Sequence, residues 1–384
     1  MNRTLVSLLS MCALLGACAS LPPPAPVPDA LFDDARFAPP SEPVDADQVF
    51  AVSEAMQRYL REDMAPLLRR HGRQYGLIEA MGNRAKLRLE YDAVSTRTAA
   101  QAFEARSGNC LALVVMTAAF AKELGVPVTY QSAYIDETWS RSGDLYVRSG
   151  HVNLTLGRRA FDVGTRHDRL EATVDFLPPA DIRGLRTRPI DEATVLAMFM
   201  NNRAVEALVQ GRVDDAYWWT REALRIQPGH WASYNTLGVV WLRRGDAARA
   251  DRVLAHLLDQ QPGHLQALAN RALALERGGH DAAAAALRHQ LARHEPHPPF
   301  HFFHLGQAAM ERGDFAQARE LFAREIGRDP QYHEFHFWLA RALWQLGDAA
   351  LARRHLALAA DYSTTRSDRA LYDAKLAWLR SASH

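Results

Sequence analysis

One spacing constrains this 384-residue chain more than any other: Gly211, Gly245, Gly279, Gly313 and Gly347 recur every 34 residues. Ala216, Ala250, Ala284, Ala318 and Ala352 keep the same interval, as do Pro228, Pro262, Pro296 and Pro330. A fixed period of this length marks stacked helix pairs, each unit touching only its neighbours. Each landmark has a physical role in such a unit. Glycine sits in the turn between the two helices, where a positive φ is often needed. Alanine lets the paired helices approach closely, and proline stops the second helix before the next unit. Further small residues, Ala204, Gly238, Ala272, Gly306 and Ala340, repeat at this interval in the first helices. Five units therefore run over about 195–366, with Thr364 replacing proline in the last. The remainder, 367–384, reads as a capping helix that shields the final unit.

With these landmarks the array resembles the tetratricopeptide repeat. That resemblance implies an all-α solenoid that binds an extended peptide or a partner protein along a concave face. Asn201, Asn235, Phe303 and Phe337 hold the fifth position of their repeats, a position that commonly lines the groove. The alternative is that this face packs on the N-terminal domain. His301 and His304, like His333 and His336, have the i, i+3 spacing of a metal pair. A zinc site needs further ligands and a supporting shell, and with none evident no metal is expected.

The N-terminus carries a different signal. Arg3, the apolar run Leu5 to Leu15, and Leu15-Gly16-Ala17-Cys18 describe an export segment, too short for a membrane span. Leu-Gly-Ala before cysteine resembles the bacterial lipobox. The resemblance implies that residues 1–17 are removed as a signal peptide and that lipid on Cys18 anchors the chain to a membrane. By the same resemblance, Ala19 rather than Asp after that cysteine implies the outer membrane, with the protein facing the periplasm. Residues 18–44 are rich in proline and read as an extended tether that holds the folded part away from the membrane surface. What remains is longer than one core usually supports, so two domains are expected. The 45 Lys and Arg nearly balance 44 Asp and Glu. No basic stripe interleaved with aromatics appears, so nucleic acid is not an expected partner.

Cys12 leaves with the signal and Cys18 is capped, which makes Cys110 the one free thiol expected in an oxidising compartment. Upstream, Asp45 to Arg70 and Tyr75 to Asn83 read as helices, and Lys86 to Tyr91 alternates as a short strand does. Arg106-Ser107-Gly108-Asn109 then precedes an apolar run, marking a helix start at Cys110 capped by Asn109 or Ser107. The helix ends at Leu124-Gly125-Val126-Pro127. A helix N-terminus favours a thiolate and offers amides to an oxyanion. Taken singly, a packed cysteine, a strand-end histidine and a solvated acid are ordinary structural residues.

A glycine two residues before a cysteine that opens a buried helix, with strands following, resembles the transglutaminase-like superfamily of papain-type thiol enzymes. The family order Cys, His, Asp continues through His151 and Asp162. The resemblance implies Cys110 as nucleophile, His151 as base and Asp162 as orienting acid in an α+β domain over 45–190. It implies no cofactor. A two-residue turn at Gly157-Arg158 would place Asp162 opposite Asn153 and diagonal to His151. The segment from Ile135 to Gly150, with Trp139 and Tyr146, has no family counterpart.

The expected whole is an α+β transglutaminase-like (papain-like) domain followed by the all-α repeat solenoid. Its expected reaction is hydrolysis or acyl transfer at an amide of a peptide or protein that the repeats position. The competing reading is a catalytically inactive scaffold lipoprotein. A short connector at Arg183 to Asp191 is expected between the halves, with Leu208 and Leu242 packed on the thiol domain or lining a channel from it.

Overall fold

The computed structural model describes residues 26–83, 86–142, 145–157, 171–176, 186–294, 296–363 and 365–381, and for 134–149, 366, 380 and 381 it describes only the backbone. The export segment, Cys18 and Asp162 lie outside the described residues.

The first helical stretch begins later than its sequence suggests. Ser53 caps α1 (Glu54–Tyr59) by accepting from the Met56 amide, so residues 45–52 precede the helix. A π turn at Leu60–Met64 carries it into α2 (Ala65–Gly82). Gly72, at φ 77°, kinks α2 inside the gap expected between Arg70 and Tyr75. Of the alternating segment Lys86 to Tyr91, only β1 (Glu90–Tyr91) becomes strand. It pairs in parallel with β2 (Ser107–Gly108), and α3 (Ala99–Ala105), capped by Thr98 and Gln101, makes the crossover.

Helix α4 (Cys110–Glu123) is the centre of the N-terminal core, buried from Leu111 to Ala121 on every side. A helix that is apolar all round has no face to give to water. It packs against a sheet of β3 (Val128–Ser142), β4 (Leu145–Leu156), β5 (Ala172–Val174) and β6 (Arg186–Ile190), in the order β5-β4-β3-β6. All three pairings are antiparallel. Within the connector expected at 183–191, residues 186–190 therefore form an edge strand. Pro189 is tolerated opposite Gln131 because an edge strand leaves one side unpaired.

Asp191 caps the next helix through the Thr194 amide, and helix pairs then follow without interruption. They are α5 (Glu192–Val209) with α6 (Val213–Ile226), α7 (Trp231–Arg244) with α8 (Ala247–Gln260), and α9 (Leu265–Arg277) with α10 (Asp281–His294). Then come α11 (His301–Glu311) with α12 (Phe315–Arg328), α13 (His333–Gln345) with α14 (Ala349–Tyr362), and the capping helix α15 (Arg366–Ser381). The five periodic glycines all have positive φ, as their turns require. Gly306 is needed for space: a Cβ there would lie 2.5 Å from Phe322 Cε1.

The two halves share one core. Val195, Phe199, Met200 and Ala204 of α5, with Trp219 and Ala223 of α6, join Met56, Leu77, Leu154 and the α4 side chains in a single buried cluster. Leu208 and Leu242, expected against the thiol domain, belong instead to the core of the first repeats.

Residues 26–44 are not a free tether. Phe37 stacks on Tyr217 at 3.8 Å, and Leu31 and Phe37 are buried beside Trp241. The backbone is held as firmly: Trp241 Nε1 donates to Leu31 O (3.2 Å) and Trp218 Nε1 to Ala38 O (2.7 Å). Ser41 donates its amide and hydroxyl to the Asp215 carboxylate, both at 2.7 Å. Proline-rich chain docks well because little entropy is left to lose, and Leu31, Phe32 and Phe37 were the apolar signal for docking.

Candidate active site

Cys110 is the first residue of α4 and a half-buried free thiol. Its position is set by a cap: Asn109 Oδ1 accepts from the Ala112 amide at 2.9 Å, satisfying a donor that the helix start would leave unpaired. Gly108 is required by packing, because a Cβ there would lie 2.7 Å from Ala112 Cβ. The cysteine motif thus reflects the geometry of a tight strand-to-helix entry.

His151 lies on β4 opposite Ala133 of β3. Strand alternation sends Val152, Leu154 and Leu156 to the core and leaves His151, Asn153 and Thr155 on the other face, also buried. The Cys110 thiol lies near enough to the imidazole to perturb its titration. His151 Nε2 meets both carboxylate oxygens of Asp175, at 2.8 and 2.9 Å. Each of these two side chains is 3% exposed. Asn153 Nδ2 donates to the same carboxylate at 2.8 Å, and its buried Oδ1 has no partner among the described residues. That oxygen can accept a donor from water or substrate.

Asp175 was not foreseen. The expected hairpin pairs residues 154–156 with the chain just after Gly157, but β5 takes that edge, with Leu154 opposite Val174 and Leu156 opposite Ala172. Continuing that register brings Asp175 to Asn153, the place assigned to Asp162. The register argument thus holds for a different strand. Thr173-Val174-Asp175-Phe176 alternates polar with apolar, which is the signal that could have marked it.

Burial by itself lowers the His151 pKa, but the hydrogen bond to Asp175 and the nearby Cys110, with their charges, outweigh it and raise the value to about 9. The ring is therefore cationic at neutral pH. A folded-state pKa above the unfolded one means stability that is full below about pH 6.5 and lost as pH rises through 9. Relative to His151→Gln, the wild-type chain is expected to lose about 2 kcal/mol of this advantage between about pH 6.5 and 9.5. Urea denaturation at several pH values checks this; a difference that stays flat, or grows with pH, would contradict it. Tyr91, opposite Gly108 in the parallel pair, is a further neighbour missed by the sequence reading. It is 44% exposed, yet the surroundings of its hydroxyl and the Cys110 charge push its pKa up.

The proposed groove residues divide. Asn201 and Asn235 are half-buried, and each accepts from the next repeat, from Ser233 Oγ (3.2 Å) and Asn270 Nδ2 (2.9 Å) respectively. Phe303 is a core residue, fully buried among Phe300, Phe322 and Phe335. Phe337 is partly buried under the capping helix, with Tyr372 at 5.2 Å. The second histidine pair is engaged within the repeats: His336 meets His355 Nδ1 and Pro330 O, and His333 meets the Tyr372 hydroxyl. Among the described residues no cluster of metal-ligating side chains occurs.

The tetratricopeptide-repeat family matches residues 303–379 and, in a second form, residues 231–256. Among solved structures, MamA residues 41-end from Desulfovibrio magneticus RS-1 is 18% identical, over 45% of this chain and 96% of that one, at a TM-score of 0.26. TTC0263, a thermophilic TPR protein of Thermus thermophilus, is 16% identical over 48% and 98%, at 0.30. YrrB, described as a TPR protein with an unusual peptide-binding site, is 15% identical over 47% and 92%, at 0.26. No curated protein matches the chain. The periodic glycines in their turns, the stacked helix pairs and the family matches agree: the C-terminal half of this chain is a tetratricopeptide-repeat solenoid.

Proposed function

We propose that this chain is a cell-envelope thiol enzyme of the transglutaminase-like kind, acting on an amide of a peptide or protein that its repeats hold. The observation that carries this reading is the buried His151–Asp175 pair beside the half-buried Cys110, with the imidazole held cationic by its two neighbours. A thiol is used as a nucleophile in this arrangement. Cys110 Sγ, its proton already transferred to His151, would attack the carbonyl carbon, forming the S–C bond as the carbonyl π electrons move to oxygen. The amides at the start of α4 would meet the oxyanion. His151 would then give its proton to the departing nitrogen as the C–N bond breaks. Water or an amine would release the acyl group from the thioester and return the proton to His151. Asp175 keeps the ring oriented and charged throughout.

Tetratricopeptide repeats support protein–protein interaction, and the core shared by α4 and the first repeat would keep a bound substrate in fixed relation to the thiol. Lipid on Cys18 would anchor the protein in the outer membrane. The chain from Val27 packs against the repeats, and the eight residues from Cys18 to residue 26 have a contour of at most about 30 Å. The folded part would therefore sit close to the bilayer.

The test is capture by an electrophilic amide-mimic probe on the full-length chain, read by intact mass. One adduct at Cys110, lost in Cys110→Ala and slowed in His151→Gln, is expected. A wild-type thiol that reacts no faster than free cysteine at neutral pH would favour an interaction scaffold.

A further inference from the structure

We infer that Glu206 of the first repeat and Thr96 of the thiol domain are positioning residues for Cys110, joined to its helix start by a buried hydrogen-bond chain. The inference rests on the reading of Cys110 as nucleophile. Glu206, on α5, accepts the Thr96 amide on Oε1 at 2.7 Å. Thr96 Oγ1 accepts from Asn109 Nδ2 at 2.8 Å, and Asn109 Oδ1 accepts from the Ala112 amide. The donors all point one way, from the first turn of α4 toward the Glu206 carboxylate. Bonds aligned in this way polarise one another, and away from water they are stiff.

Thr96 and Asn109 are buried, so no solvent molecule replaces a missing member at low cost. Glu206 itself is fixed from its far side, where Arg203 Nη1 meets Oε2 at 3.1 Å and Arg203 Nη2 reaches both oxygens of Glu42 at 2.7 Å. The docked N-terminal segment, the first repeat and the catalytic helix are thereby tied together. An open cleft of about 440 Å³ runs beside the chain, with Thr96, Arg97, Gln101 and Arg203 in its wall. A cap needs only a side-chain acceptor, and Asn109 alone supplies that. The additional anchoring in another structural unit orients the cap, and with it the first-turn amides and the sulfur.

The experiment follows iodoacetamide alkylation of the full-length chain from about pH 5 to 10, with circular dichroism to verify folding. Thr96→Val keeps the side-chain shape and the backbone bond to Glu206 but removes the hydroxyl; Glu206→Ala removes the acceptor. Both are expected to slow alkylation at neutral pH by about three- to tenfold and to move the pH profile upward. Thr96→Ser and Glu206→Gln restore the donor or acceptor and are expected to recover the rate to within about twofold. Because Thr96→Val is nearly isosteric, it keeps the test decisive even where Glu206→Ala unfolds. Lower melting temperature with unchanged rate and profile overturns the inference while leaving the nucleophile intact. A wild-type thiol no more reactive than free cysteine overturns both.

Discussion

Asp175→Asn is expected to slow the reaction of Cys110 with iodoacetamide at neutral pH by about ten- to a hundredfold. Asparagine keeps the size of the side chain and can still accept one hydrogen bond from His151 Nε2. It removes the negative charge that, with the thiol, holds the imidazole protonated against burial. It also presents an amide N–H₂ to Asn153 Nδ2, which would set two donors facing each other across 2.8 Å. The His151 titration, followed by NMR, is expected to fall from about 9 toward or below its ordinary range in the variant. Asp162→Asn separates the two candidate acids and is expected to change the rate by less than about twofold. The reverse ranking would return the orienting role to Asp162 and make the Asp175 contact structural.

Phe303→Ala is expected to cost about 3–5 kcal/mol of stability, because it empties a fully buried aromatic site. Its neighbours are large and held by their own packing: Phe335 lies at 5.2 Å, Phe322 at 5.8 Å and Phe300 at 6.0 Å between ring centroids. They cannot collapse into the space without leaving their rotamers. Phe322 is also the ring that fills the space beside Gly306, so the cavity would reach the contact between α11 and α12. Chemical denaturation checks this, with loss expected first in the fourth and fifth repeats. A change below about 1 kcal/mol would mean that the position is open enough to serve a ligand, as its place in the repeat had suggested.

The difference between these residues and their expected roles shows how far a linear pattern reaches. Gly211 and its four equivalents fell in the turns expected of them, because each turn is formed by residues close in sequence and the requirement for positive φ is local. The same holds for Asn109 as the cap of α4 and for Gly108 before it. The places of Cys110 at a helix start and of His151 on a strand were legible because capping and alternation are local patterns. Phe303 was misplaced because a repeat position specifies a helical face, and which of its aromatics turn inward depends on the volume left by α12 and α13.

The solenoid with its period, the helix opened by a thiol and the strand bearing a histidine were all determined by the sequence itself. Each rests on short-range geometry or on a repeated local unit. The tertiary structure alone decided which strand borders β4, and so which acid meets His151, since the pairing of β5 with that edge leaves no mark in the spacing. It alone showed that residues 31–37 lie against Tyr217 and Trp241, and that the first repeat shares a core with α4. Those contacts join segments as far apart in the chain as Leu31 and Trp241. Their existence depends on shape complementarity between finished surfaces, which no periodicity encodes.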